Sequence, residues 1–191
     1  MNKNLYIVCG CNGAGKTTAS YTVLPEILDC REFVNADEIA RGLSPFNPES
    51  VAVEAGRLML KRIDELLQQG ASFSIETTLA TRSYVNLVRR AHSLGYTVKL
   101  IFFWLRSPEL AKKRVAERVA NGGHSIPQEV IERRYVLGLR NLFNLFMTEV
   151  DFWIIFDNSK NPRKKIASGG KGKTTDIDDK ELFKRIQEYV K

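Results

Sequence analysis

The 191-residue sequence predicts an α/β fold in which a five-stranded, mostly parallel sheet lies between two layers of helices. Five apolar runs of strand length alternate with segments of helical periodicity, which is the pattern of parallel βαβ units. The fourth run is apolar without interruption, as expected for a strand covered on both faces. A glycine-rich loop directly follows the first run. The predicted strands are residues 5–9, 33–36, 72–75, 97–104 and 152–156.

The glycine-rich loop, residues 10–18 (GCNGAGKTT), matches the phosphate-loop pattern G-x-x-x-x-G-K-[ST]. Its glycines allow successive backbone N–H groups to surround phosphates, Lys16 can reach the β- and γ-phosphates, and the Thr17 hydroxyl suits Mg²⁺. A strand precedes the loop, and a helix predicted to end at Pro25 follows it. The sequence therefore predicts a three-layer P-loop NTPase fold that binds a nucleoside triphosphate. The predicted nucleotide ligands within the loop are Gly10, Asn12, Gly13, Ala14, Gly15, Lys16, Thr17 and Thr18.

The length of the chain predicts a single domain over residues 1–191. No apolar stretch is long enough to cross a bilayer, and the N-terminus lacks a signal-peptide pattern, so we expect a cytoplasmic protein without a membrane partner. The three cysteines, Cys9, Cys11 and Cys30, lack metal-ligand spacing and are expected to be reduced and unpaired.

The net charge of +7 is concentrated in one segment. Residues 158–175 contain six lysines and arginines and no acid, which leaves about +1 for the rest of the chain. We interpret this segment as a basic mobile loop. The alternative is a patch that contacts nucleic acid, but because the basicity is local we do not expect nucleic acid as a partner.

Polar side chains follow the second and third predicted strands. Asp37 comes after the second strand, and Glu76 and Thr78 come at the end of the third. The carboxyl ends of parallel strands meet at the ligand crevice of an open sheet, so we expect these residues to lie near the phosphate loop. Asp37 suits a general base that takes the proton of an attacking hydroxyl, although Asp is also favoured as the N-cap of a following helix. Glu76 could supply a carboxylate to Mg²⁺.

The region of about residues 105–147 is predicted to be helical and to bear a lid. Its first helix carries Arg114 and Arg118 one turn apart, and it breaks at Gly122 and Gly123, which could act as a hinge. Arginines on a closing lid could neutralise the charge of a transferred phosphoryl group. The alternative is an ordinary charged helix surface. The residues Asp157 and Asn158 end the fifth strand, either near the adenine or ribose or in a simple turn.

Several of these motifs, taken together, resemble the zeta-toxin family of P-loop kinases. The resemblance extends from about residue 4 to about residue 160, with natural spacing between the motifs. The matching segments are residues 10–18, residues 34–37 (VNAD), residues 76–78 (ETT), residues 117–118 (ER) and residues 122–127 (GGHSIP).

The resemblance implies a kinase that uses ATP and Mg²⁺ to phosphorylate the sugar 3′-hydroxyl of UDP-N-acetylglucosamine. Some members of that family act as the toxin of a toxin–antitoxin pair, which implies an antitoxin protein as a partner. By resemblance, Asp37 is the general base, Lys16 and Thr17 hold the phosphates and Mg²⁺, and Glu76 and Thr78 are groups on the substrate or metal side.

The resemblance also assigns a lid role to Arg118, and we add Arg114 as a second catalytic cation and Arg82 as a substrate ligand. A second lid arginine expected near His124 is not matched at that position. His124, Arg133 or Arg134 would have to serve instead, and the two arginines are favoured, with Arg133 placed among the nucleotide ligands.

Two other functions remain open from the sequence. The first is a polynucleotide or nucleoside kinase whose basic segment contacts phosphates. The second is an ATP-binding regulatory switch or interaction module with little turnover. The Asn-Lys-x-Asp motif by which GTPases recognise their base is absent from the sequence.

Overall fold

The sheet has seven strands in the order β2-β3-β1-β4-β5-β6-β7, in a computed structural model that describes residues 3–123 and 125–190. The first five strands in the chain are parallel, whereas β6 and β7 are antiparallel to their neighbours. The predicted α/β fold is therefore confirmed, with two strands more than the five expected. The strands are β1 Lys3–Cys9, β2 Glu32–Val34, β3 Phe73–Thr77, β4 Tyr96–Trp104, β5 Phe152–Asp157, β6 Lys164–Gly170 and β7 Lys173–Ile177.

The helices connect the parallel strands and close the chain after the hairpin. None of those formed by the described residues is both long enough and apolar enough to cross a membrane. The α-helices are α1 Lys16–Thr22, α2 Ala36–Leu43, α3 Ala52–Gln69, α4 Tyr84–Ser93, α5 Pro108–Ala120, α6 Gln128–Asn141, α7 Met147–Glu149 and α8 Lys180–Glu188. Single turns of other helix types are Val23–Ile27 (π) after α1, Pro48–Val51 (3₁₀) before α3 and Leu142–Phe146 (π) after α6.

Helices pack on both faces of the sheet. On one face, the Tyr96 hydroxyl donates to the Leu66 carbonyl of α3 (3.0 Å), and the Trp104 indole N–H donates to the Tyr135 hydroxyl of α6 (2.9 Å). On the other face, Tyr21 of α1 packs edge-on against Phe33 of β2. Helices on both faces are what βαβ connections between parallel strands produce.

The first helix does not end at Pro25 as the sequence predicted. The chain continues through Pro25 as the π-helical turn Val23–Ile27, and Leu28 N–H donates to the Val23 carbonyl. Proline lacks an N–H group, and a π turn is one of the adjustments that accommodate such a residue.

The basic segment is not the mobile loop that was predicted. Residues 164–170 and 173–177 form the antiparallel hairpin β6–β7. The ammonium group of Lys165 lies 2.8 Å from a carboxylate oxygen of Asp176 and 3.0 Å from one of Asp178, and Lys164 pairs with Asp179. The positive charge of residues 158–175 is thus partly balanced by the acids that directly follow this segment.

Candidate active site

A cavity of about 710 Å³ lies at the carboxyl ends of the parallel strands. It brings together residues from the phosphate loop, the end of β2, the end of β3 and helix α6. The side chains predicted from these separate segments therefore share one site. Those that line it include Asn12, Asn35, Asp37, Glu76, Thr78 and Arg134.

The phosphate loop requires its glycines for two physical reasons. Gly10, Gly13 and Gly15 have φ values of +143°, +78° and +78°, which L-residues rarely adopt. A Cβ at Gly10 would lie 2.2 Å from the Phe103 carbonyl oxygen, and one at Gly15 would lie 2.7 Å from Asn158 Nδ2. The loop leads directly into α1, which begins at Lys16. The N–H groups in the first turn of a helix have no acceptors within that helix. This is the arrangement that binds phosphate.

Glu76 is the centre of the polar network beneath the loop. Its Oε2 accepts from the Thr17 hydroxyl (2.8 Å) and from Asn35 Nδ2 (3.0 Å), and its Oε1 lies 3.5 Å from Lys16 Nζ. The side chains of Lys16 and Glu76 are 7% and 9% exposed, so this ion pair is shielded from solvent. Lys16 Nζ also donates to the Cys11 carbonyl (3.1 Å), and the ammonium is therefore held beside the loop.

The donor set at this point fits Mg²⁺. A threonine hydroxyl and a carboxylate lie within hydrogen-bond distance of each other beside the phosphate loop. Both are hard oxygen ligands, and Mg²⁺ typically takes only one or two protein carboxylates together with phosphate oxygens and water. Thr17 and Glu76 are the residues that would hold the ion.

Asp37 lies in the first turn of α2 and does not cap that helix. The N-cap is Asn35, whose side-chain oxygen accepts from the N–H groups of Asp37 (2.8 Å) and Glu38 (3.4 Å). The alternative interpretation of Asp37 as an N-cap is therefore wrong. The exposed Asp37 lines the main cavity and also a second cavity of about 380 Å³ beside the predicted lid. The Asp37 side chain therefore lies between the two cavities.

The arginines of the lid region have different surroundings. Arg134 lines the main cavity and donates to Asn12 Oδ1 (3.2 Å), whereas its neighbour Arg133 is exposed and lines neither cavity. Arg118 lines the second cavity together with Asp37. Arg114 donates to the carbonyl groups of residues 158 and 159, at 2.9 and 3.1 Å. His124 lies outside the described residues.

The structure places two unpredicted arginines where Arg82 was expected. Arg82 is exposed and does not line the main cavity, whereas Arg57 of α3 and Arg90 of α4 do. The two arginines lie on different helices, and only the packing of α3 beside α4 brings them to the cavity. Asn35, two residues before Asp37, is the N-cap of α2, and asparagine at the start of a helix is a recognisable N-cap signal.

A further cavity of about 480 Å³ lies on the opposite side of the phosphate loop. Asn158 lines it and donates to the Ala14 carbonyl (2.7 Å), which ties the end of β5 to the loop. Its position beside Gly15 and Thr18 suits the ribose and base of a nucleotide whose phosphates occupy the loop. Asp157 instead has the turn role, because it accepts from the N–H group of Ser159 and from Arg106 Nε, both at 2.9 Å.

The ionised Asp157 carboxylate should stabilise the fold, and this contribution to the free energy of unfolding should decrease at acid pH. Burial raises the pKa of Asp157, but the hydrogen bonds from Ser159 and Arg106 outweigh it and hold the pKa below the ordinary value of 3.8. A carboxyl with a lowered pKa stabilises the fold above its unfolded pKa, and this contribution is lost as the pH falls through the folded value. We expect Asp157→Asn to cost about 1–2 kcal/mol of unfolding free energy at pH 6 and less at pH 3. Urea unfolding at both pH values measures this, and a cost that does not change with pH would contradict it.

The fold and the phosphate loop together define a P-loop kinase fold with a nucleotide site. The family model described as an AAA domain matches residues 5–135, and the chain belongs to that family. An uncharacterized protein of Haemophilus influenzae is 27% identical over 135 residues, which are 71% of this chain and 94% of that protein.

Solved structures share the fold at low sequence identity. The crystal structure of AvrRxo1-ORF1:-ORF2 with ATP has a TM-score of 0.77 and 18% identity, covering 97% of this chain and 63% of that chain. This chain thus spans less than two thirds of that protein. A structure of the PezAT chromosomal toxin–antitoxin system of Streptococcus pneumoniae has a TM-score of 0.65 and 17% identity, covering 100% of this chain and 88% of that chain. A putative kinase from Chloroflexus aurantiacus has a TM-score of 0.56 and 21% identity, covering 70% of this chain and 77% of that chain.

Proposed function

We propose that this protein is an ATP-dependent small-molecule kinase that transfers a phosphoryl group to a hydroxyl of its acceptor. The observation that carries the proposal is the main cavity, which has Asp37 on its wall and reaches the phosphate loop and Glu76. A nucleotide whose phosphates occupy the loop would present its terminal phosphate to this cavity. An acceptor in the cavity would then lie between Asp37 and that phosphate.

In the proposed reaction, the Asp37 carboxylate takes the proton of the acceptor hydroxyl as its oxygen forms the new bond to the γ-phosphorus. The bond from that phosphorus to the β-bridging oxygen breaks, and ADP leaves. Lys16 and Arg134 supply positive charge beside the transferred group, and Arg118 adds to it from the second cavity. Mg²⁺ held by Thr17 and Glu76 would neutralise phosphate charge when bound.

The proposed acceptor carries an anionic group and is a nucleotide-linked sugar such as UDP-N-acetylglucosamine or a related metabolite. Two arginines support this, because Arg57 and Arg90 line the main cavity. Arg90 pairs with Asp64, whereas Arg57 makes no hydrogen bond or ion pair with any part of the chain that the structure describes. A diphosphate in this cavity would supply a partner for Arg57.

Arg57→Gln is expected to weaken acceptor binding without impairing the chemical step. Loss of one charge-assisted contact should raise KM for the acceptor about tenfold while kcat changes less than about twofold. Steady-state kinetics with a fixed excess of ATP measures both constants. Arg82→Gln should leave both unchanged, and an equal rise in KM for the two variants would contradict the assignment to Arg57.

We also propose a protein antitoxin as a partner, supported by the similarity to the PezAT toxin–antitoxin system. The hairpin β6–β7 does not favour the polynucleotide alternative, because Lys164 and Lys165 already pair with acids of this chain. An exposed basic groove would be expected for binding to a nucleic-acid backbone.

The experiment that tests the proposed function measures ADP formation with defined acceptors. The chain, ATP and Mg²⁺ are incubated with UDP-N-acetylglucosamine, a nucleoside or an oligonucleotide with a free 5′-hydroxyl. We expect ADP formation to rise most with UDP-N-acetylglucosamine or a close relative. Stimulation by the oligonucleotide alone would favour the polynucleotide kinase, and tight ATP binding without stimulation by any acceptor would favour the switch.

A further inference from the structure

An apolar trough of about 320 Å³ lies on the face of the sheet that also carries α1, and it shares no lining residue with the main cavity. Its floor is formed by side chains of β4 and β5, and one wall is formed by the turn after α1. The register confirms that the floor residues share a face, since Ile101 pairs with Ile154 and Phe103 with Phe156. The apolar lining residues are Val23, Ile27, Leu28, Ile101, Phe103, Phe152, Ile154 and Phe156.

The trough is an apolar surface that is separate from the main cavity. The rings of Phe103 and Phe156 stack with centroids 5.9 Å apart, and they form a flat part of the floor. Phe152, Ile154 and Phe156 are only half-buried, and Ile27 on the wall is 67% exposed. In a sheet whose opposite face carries α3 and α6, this exposure leaves room for one more packed element.

Two cations border the apolar surface. Lys99 Nζ lies 5.4 Å from the centre of the Tyr6 ring, and the Arg163 guanidinium lies 5.9 Å from the centre of the Phe103 ring. Both side chains line the trough, and neither makes an ion pair within residues 3–123 and 125–190. Arg163 also lines the 480 Å³ cavity beside the phosphate loop, so the trough adjoins that cavity at this end. The surface therefore combines an apolar centre with positive charge at its margins.

We propose that this trough binds an acidic amphipathic helix of a partner protein. An apolar stripe of such a helix would cover the floor, and carboxylates beside the stripe would meet Lys99 and Arg163. The floor extends along β5 from Phe152 to Phe156, about 13 Å at the usual rise of a strand, which matches about two and a half helical turns. A second copy of the chain would oppose like charges at the margins and bring together two chains of net charge +7.

Binding of designed peptides tests the proposal without any measurement of ATP turnover. The probes are two labelled synthetic 18-residue helices with the same leucine stripe, one with glutamates beside the stripe and one with lysines. We expect the glutamate peptide to bind at least about tenfold more tightly by fluorescence anisotropy, which corresponds to about 1.4 kcal/mol. NMR signals of the Ile101 and Ile154 methyl groups should shift on its addition.

The variant Lys99→Glu should weaken binding of the glutamate peptide at least about fivefold, whereas the surface control Lys184→Glu should not. Ile154→Glu should abolish binding, and its melting temperature shows whether it has folded. Equal affinity for the two peptides, or unchanged methyl signals, would overturn the proposal. Concentration-dependent dimerisation of the wild type, reduced by Ile154→Glu in sedimentation experiments, would replace it with self-association.

Discussion

Asp37→Ala is expected to lower kcat about 10²- to 10⁴-fold while the Kd for ATP changes less than about twofold. The loss follows because the variant removes the carboxylate that takes the proton of the acceptor hydroxyl. ATP binding should persist, since the phosphate loop, Lys16 and Glu76 do not depend on the Asp37 side chain. Phosphoryl transfer is measured with labelled ATP, and the Kd by calorimetry in the absence of acceptor.

Glu38→Ala is the matched control for Asp37→Ala. Glu38 is the next acid of the same helical turn, and its carboxylate pairs with Arg41 at 3.1 Å on the helix surface. Its removal should leave kcat within about twofold of wild type, as usual for a surface ion pair. If Asp37→Ala kept most of its kcat, or if both variants lost it equally, Asp37 would not be the general base.

Lys16→Ala should lose both ATP binding and phosphoryl transfer. The Lys16 side chain is 7% exposed, and its ammonium group lies beside the loop and Glu76. The variant therefore leaves a shielded carboxylate without its cation and removes a positive charge from beside the phosphates. We expect ATP affinity to fall at least about tenfold and kcat about 10²- to 10³-fold. Calorimetry and the transfer assay measure the two effects.

Lys61→Ala is the matched control for Lys16→Ala, because Lys61 is an exposed lysine on α3. The melting temperature of Lys16→Ala should also be recorded, since loss of a shielded ion-pair partner can destabilise the fold. A folded Lys16→Ala protein with the ATP affinity of wild type would show that the loop does not hold the nucleotide through this lysine.

The phosphate loop and the acids at the strand ends could be predicted from the sequence. The phosphate loop is a local backbone pattern, and its glycines specify a conformation that few other residues adopt. Asp37 and Glu76 could be placed near it because parallel strands end at the same edge of a sheet. The structure brings Asp37, Glu76 and Asn12 of the loop to one cavity.

The cations of the site could not be chosen from the sequence. Arg133 and Arg134 are adjacent, but neighbours on a helix point about 100° apart, and only the packing of α6 decides that Arg134 reaches Asn12. Arg57 and Arg90 lie on different helices, and their place at the cavity follows from how those helices pack. The sequence contains no local signal for that arrangement.

The C-terminal hairpin differs from the predicted loop because its strand residues lie among lysines and glycines, which favour a solvated loop. Ile166 and Ala167 are fully buried in the middle of β6, although lysines precede them. The acids that balance these lysines lie in β7 and just after it, so the pairs form only when the hairpin closes. The acids follow the segment directly in sequence, but a count of charges does not show which lysines they pair with.

The central claim is that the cavity at the strand ends transfers a phosphoryl group from ATP to a small molecule. The most direct measurement incubates the wild-type chain and Asp37→Ala with γ-labelled ATP and a metabolite pool that includes UDP-N-acetylglucosamine, and identifies the labelled products. We expect the wild type to place the label on a hydroxyl-bearing metabolite and Asp37→Ala to place almost none there. Label that appears only as free phosphate, at the same rate with both proteins, would contradict the claim.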